Sequence, residues 1–251
     1  MATWLRRTIA VGLLGFLLAA ANCDGTSTEK APRPDADDWL VLLCTASDNA
    51  TEPHLPEYFA ALFKPGPEGV LHDYFSRISF GKVDLSGTQV YGWFPMAVAS
   101  AQLDPNVRNN AQPVTRSQTA KDCVNAAKPA IALRGVDPST FRGIISVINI
   151  PVDTGAAGGR DVVLAFANAE TGAGFIEHEM LHVLWSQRHS RRTARDTTTD
   201  HAWGTANANE DYGDCWDMMS WASCDQEYHD TTSARGTNGP ELNAEILRQL
   251  G

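Results

Sequence analysis

FIEHEMLHVLWSQRHS (residues 175–190) holds His178, Glu179 and His182 in the spacing His-Glu-x-x-His. Apolar residues surround the motif, and the stretch predicts a helix over about 174–185. Side chains four apart on a helix project on one face, so His178 and His182 can aim two imidazoles at one metal ion. Glu179 stands beside the first of them, within reach of a water on that ion. Zinc lowers the pKa of such a water to about 7. A neighbouring carboxylate can take its proton during attack on a carbonyl and pass it to the leaving amine. The bland alternative is a surface helix with two solvated histidines and no ion. Two histidines leave a catalytic zinc one protein ligand short, so the downstream residues decide the site.

The chain around this motif has the composition of a globular domain. Of its 251 residues, 43% are hydrophobic and 20% charged, which excludes a disordered or fibrous protein. The formal net charge of −10 argues against general binding to nucleic acid or anionic membranes. At the N-terminus, Arg6 and Arg7 precede an apolar run from Ile9 to Ala21. That order predicts a signal peptide over 1–21, too short for a comfortable membrane span. Its removal takes the charge to about −12. Residues 22–38 read as a flexible leader and 39–251 as the catalytic domain. A secreted monomer without an integral span is expected, with a lipid anchor on Cys23 at the cell surface as the alternative. Asn22 stands where a small residue is normally required before such a cysteine. Disulfides are open to an exported chain. Cys44 with Cys123, and Cys215 with Cys224, are one of three pairings of those four cysteines.

Alternating elements predict a single α/β (α+β) domain. WLVLLCTA (39–46) and RGIISVINI (142–150) read as buried strands. LPEYFAALF (55–63) and EGVLHDYFSRIS (68–79) have helical spacing, with Val70, Leu71, Tyr74, Phe75 and Ile78 on one face. KVDLSGTQVYGWFPM (82–96) reads as a bent strand or hairpin. SQTAKDCVNAAKPAIAL (117–133) reads as a helix disturbed at Pro129. DVVLAFANA (161–169) reads as a strand, with an edge position suggested by the Gly-rich turn before it. An edge there could pair with an extended peptide, and an ordinary sheet strand is the equal alternative. ELNAEILRQL (241–250) reads as a final amphipathic helix.

Four segments resemble the immune inhibitor A-type secreted zinc metallopeptidases, within the wider metzincin group. They are DYFSRISFGKVDLSGTQVYGWFPM (73–96), HEMLHVLWSQRHS (178–190), YGDCWDMMS (212–220) and NGPELNAEILRQLG (238–251). Together they cover under half the chain beyond the signal, in the family's order. The resemblance implies a zincin fold: a twisted mixed sheet, an active-site helix and a loop-rich C-terminal subdomain. It implies an exported zinc endopeptidase acting on protein or peptide substrates, with Glu179 as general base and acid. Met219, or its neighbour Met218, falls where that family has the methionine turn beneath its metal. Trp221 falls where some metzincins have an assisting tyrosine.

The third ligand departs from the family pattern His-Glu-x-x-His-x-x-Gly-x-x-His. Trp185 holds the glycine position and Arg188 the last histidine position, while His189 comes one residue late. His189 is the first choice, which makes the expected metal set His178, His182 and His189. A non-glycine at the turn must then take φ > 0 or route the chain differently. Glu210 with Asp214, Asp211, Asp200 and His201 are the rivals. His54, His72 and His229 read as hydrogen-bonding or surface histidines. Calcium is a further candidate at Asp196, Asp200, Asp211, Asp214 and Asp217, although no spaced calcium loop is present. The basic run 188–196 reads as a solvated loop or as an attractor of acidic substrate groups. The competing function is a secreted or surface-tethered binding module that kept the fold and lost proteolysis; the missing glycine and displaced histidine motivate it.

Overall fold

A computed structural model describes residues 37–104, 114–166, 173–185 and 218–219. Strand β1 (Trp39–Thr45) is buried along its whole length. Alternate side chains go to opposite faces: Trp39, Val41 and Leu43 enter one core, and Leu40, Leu42 and Cys44 the other. A strand covered on both faces reads as a continuous hydrophobic run, as the sequence of β1 does.

Four further strands complete a mixed sheet in the order β2-β1-β3-β5-β4. They are β2 (Gln89–Pro95), β3 (Gly143–Ile148), β4 (Gly155–Gly158) and β5 (Asp161–Ala165). β2, β1, β3 and β5 run parallel, and β4 lies antiparallel on the outer edge. Two helices, α1 (Pro56–Ala61) and α2 (Val70–Ile78), connect β1 to β2. A short helix, α3 (Ser100–Leu103), the long α4 (Arg116–Leu133) and a 3-10 turn at Pro138–Thr140 connect β2 to β3. The two crossovers run in opposite directions across β1. Right-handed connections therefore place their helices on opposite faces of the sheet. Helix α2 packs with Trp39, Val41 and Leu43, and α4 with Leu40, Leu42 and Cys44. The last described helix, α5 (Ala173–Leu184), shares the face of α2.

Several expectations hold and several are corrected. Val70, Leu71, Tyr74, Phe75 and Ile78 of α2 are all buried. Residues 82–96 give one strand, β2, parallel to β1 rather than a hairpin. The bend is real: the register shifts between Leu42 and Cys44, beside Gly92. A Cβ at Gly92 would stand 2.3 Å from the Leu43 Cβ, so the two backbones approach closely there only because that residue has no side chain. Helix α4 continues through Pro129. Both Pro129 and Asn125 are exposed, so water can reach the carbonyl that proline leaves without a helical donor. Strand β5 is interior, not an edge. The edge is β4, whose GAAG sequence lacks every residue type that marks a strand.

Cys123, from the buried stripe Ala120, Cys123, Ala127 and Ile131 of α4, is disulfide-bonded to Cys44 of β1, with Cα atoms 5.8 Å apart. The bond fastens α4 to the middle of the sheet. Among the described residues no helix is long and apolar enough to cross a membrane.

The bridge spans 79 positions of sequence, and closing so long a loop restricts the unfolded chain. The double variant Cys44→Ala/Cys123→Ala is expected to lose about 2–5 kcal/mol in urea unfolding; an unchanged midpoint contradicts the assignment. A second expectation concerns charge. Burial pushes the Asp161 carboxyl above its ordinary value, with Arg160 opposing. For an acid raised in the folded state, this group's stabilisation is present below the unfolded pKa. It is lost as pH rises through the folded value. Asp161→Asn should therefore melt above the parent at pH 7, with the gap closing towards pH 3; a variant melting below the parent at pH 7 contradicts this.

Candidate metal centre

Helix α5 is buried nearly all round, His178 and Glu179 included, with His182 half-buried. Ile176, Met180, Leu181, Val183 and Leu184 pack into the core, while Glu177, His178 and Glu179 are also buried. Its C-terminal end is held from outside the helix. The Arg142 guanidinium, just before β3, donates through Nη2 to the Leu184 carbonyl at 2.6 Å. A cation is favourable at that end of a helix. Trp185 then leaves the helix without entering the left-handed region, since Phe80 is the one described non-glycine residue with positive φ. Its ring packs against Phe75 at 6.1 Å between centroids. The indole is thereby anchored on α2.

The imidazole of His178 has a fixed tautomer. Nδ1–H donates to the Met218 carbonyl at 2.7 Å, because a carbonyl can only accept. In the neutral ring its Nε2 then carries the lone pair. The Nε2 of His182 lies 3.2 Å from it, with the rings nearly perpendicular at 83°. Two such nitrogens need a proton or a cation between them. With zinc–nitrogen bonds of about 2.1 Å, that separation subtends about 100° at the ion, close to the tetrahedral value. A carboxylate oxygen of Glu179 completes a group whose ligand atoms all lie within 4.8 Å of one another. Burial of such a group is unfavourable unless it is hydrogen-bonded or bound to a metal, and a carbonyl behind the first imidazole is the usual support of a ligating histidine. The donors present therefore fit a zinc ion. Among the described residues this is the one group of three or more His, Cys, Asp or Glu side chains so arranged.

The second carboxylate contact comes from the sheet edge. Ala156 N–H of β4 donates to Glu179 Oε2 at 2.6 Å. Ala156 and Gly155 had no signature in the sequence, one contributing backbone groups and the other the absence of a side chain, whereas Met218 stood within the methionine-turn reading but contributes its backbone carbonyl. Met218 and Met219 are both fully buried in the core beneath α5. The contact to His178 is made by the Met218 carbonyl, not by a sulfur.

The expected non-ligands lie elsewhere. The ring of His54 stacks on Tyr58 at 3.9 Å, and His72 faces Asp73 and Asp84 at 3.1 and 3.5 Å. His189, the rivals Asp200, His201, Glu210, Asp211 and Asp214, and the aspartates suggested for calcium lie outside the described residues. So do Cys23, Cys215, Cys224, Trp221, His229, the basic run 188–196 and the segment 241–250. No protein-family model matches the chain, and no curated protein matches it in sequence.

Proposed function

We propose that this chain is an exported zinc-dependent endopeptidase of zincin type, with His178 and His182 as metal ligands and Glu179 as the general base and acid. The observation that carries the reading is the pair of Nε2 atoms 3.2 Å apart on a buried helix, with the Glu179 carboxylate in the same group. His189 is the third ligand in this reading. When bound, the zinc would polarise the scissile carbonyl and lower the pKa of its water to about 7.

Each protein group then has one task. His178 presents Nε2 because Met218 holds Nδ1–H. His182, one helical turn on, presents its own Nε2 from the same face. Glu179 accepts the proton of the attacking water and returns it to the departing amine nitrogen. The bond from Ala156 N–H fixes the plane of that carboxylate, so proton transfer proceeds without a search over rotamers. The Cys44–Cys123 disulfide supports an oxidising compartment, in line with the signal-like start of the chain.

The test uses the purified chain, its zinc content by elemental analysis and its cleavage of casein. One zinc per chain and loss of cleavage with a chelator are expected. Glu179→Ala should keep the zinc and lose activity by about 10²–10⁴-fold, while His178→Ala should lose the zinc itself. A Glu179→Ala enzyme of full activity would sink the mechanism. A zinc-free protein that captures a partner without cutting it would favour the binding module instead.

A further inference from the structure

We propose that Arg116 is a positioning residue for Glu179, acting through the backbone of Ala156; the proposal rests on the catalytic role given to Glu179 above. Helix α4 covers one face of the sheet and α5 the other. The two layers meet where β4 ends the sheet, and the first turn of α4 is the part that reaches it. Arg116 Nη1 donates to the Ala156 carbonyl at 3.2 Å, and Nη2 donates to Asp153 Oδ1 at 2.7 Å. The next residue, Ser117, donates through Oγ to the Ala157 carbonyl at 2.6 Å. Two successive residues of α4 thus hold two successive carbonyls of β4. From the other side, Ala156 N–H donates to Glu179 Oε2. The N–H and C=O of a single residue are therefore the junction between the guanidinium and the carboxylate.

Gly155 makes the junction sterically open. A Cβ there would stand 2.5 Å from Arg116 Nη1, 2.9 Å from its Cζ and 3.4 Å from Glu179 Oε1. Its φ of +128° also disfavours any side chain. Arg116 gains nothing from its place in the helix, because a cation in the first turn opposes the helix dipole. A planar fork that bonds two acceptors at once fixes direction as well as distance, which an ammonium cannot do. Asp153 takes one prong and offsets the charge, so the guanidinium serves here as a brace and not as a binding site for substrate. The disulfide at Cys123 lies seven residues along the same helix, so the brace is itself fastened to the sheet.

The experiment compares the parent with Arg116→Ala, Arg116→Lys and Gly155→Ala. It follows zinc content, kcat and KM on a peptide substrate, and hydrogen exchange of the Ala156 amide. Arg116→Ala should keep its zinc and its KM, and lose kcat by roughly tenfold to a hundredfold, the scale set by small misplacement of a reacting group. The Ala156 amide should exchange at least about tenfold faster, while amides of β1 and β3 stay protected. Methylguanidine added to Arg116→Ala should restore part of kcat. Arg116→Lys should recover less than half of the loss, since a single ammonium nitrogen lacks the planar fork that spans both acceptors. Gly155→Ala keeps the arginine but displaces its tip, and should reproduce the defect; it also serves if Arg116→Ala does not fold. Unchanged kcat with an Ala156 amide as protected as in the parent overturns the proposal. So does a loss of protection spread evenly over the sheet, which is what a merely structural residue produces. A parent chain that cleaves no peptide refutes the peptidase reading, and the exchange rate at Ala156 still decides the role of Arg116.

Discussion

Two imidazole nitrogens held 3.2 Å apart need something between them. The Met218 carbonyl accepts from Nδ1 of His178, so that in the neutral ring Nε2 carries the lone pair. A proton on either ring, or a shared cation, can bridge that nitrogen and the Nε2 of His182. The helix is buried on almost every side, and the three side chains His178, Glu179 and His182 form a group that could hold a metal ion. Glu179 would otherwise be a carboxylate buried beside two imidazoles with one backbone amide as its described partner.

The rest of the fold serves that geometry. Strands β1, β3 and β5 form a rigid apolar floor, α2 and α5 lie on one face, and α4 is bonded to β1 from the other. The edge strand β4 closes the sheet and is gripped from both sides, by the first turn of α4 and by Glu179. Its small residues are a consequence. Side chains from opposite layers can reach around the edge only where the edge itself carries almost nothing.

Much of this was legible in the residues, and the exceptions have physical causes. Continuous apolar runs mark β1 and β3, because central parallel strands are buried on both faces. The five-residue face of α2 follows from period alone. Strand order is different: β5 was open to an edge position because pairing is non-local, and its outer partner, GAAG at 155–158, has no strand character of its own. Pro129 fails to stop α4 because the group it orphans faces water. At the site, His178, Glu179 and His182 are readable since spacing on a helix sets their direction. The contributions of Met218 and Ala156 are not, being backbone groups. Arg116 left no trace, because it precedes the segment 117–133 that reads as a helix, and only the structure places it in the first turn.

Whether His178 and His182 share one zinc ion is read out by X-ray absorption at the zinc edge. Zinc-loaded protein is predicted to give nitrogen or oxygen neighbours at about 2.0–2.1 Å, with the outer-shell scattering of at least two imidazoles, reduced by one ring in His182→Ala. A first shell dominated by sulfur at about 2.3 Å, or a spectrum that the loss of His182 leaves unchanged, would contradict it.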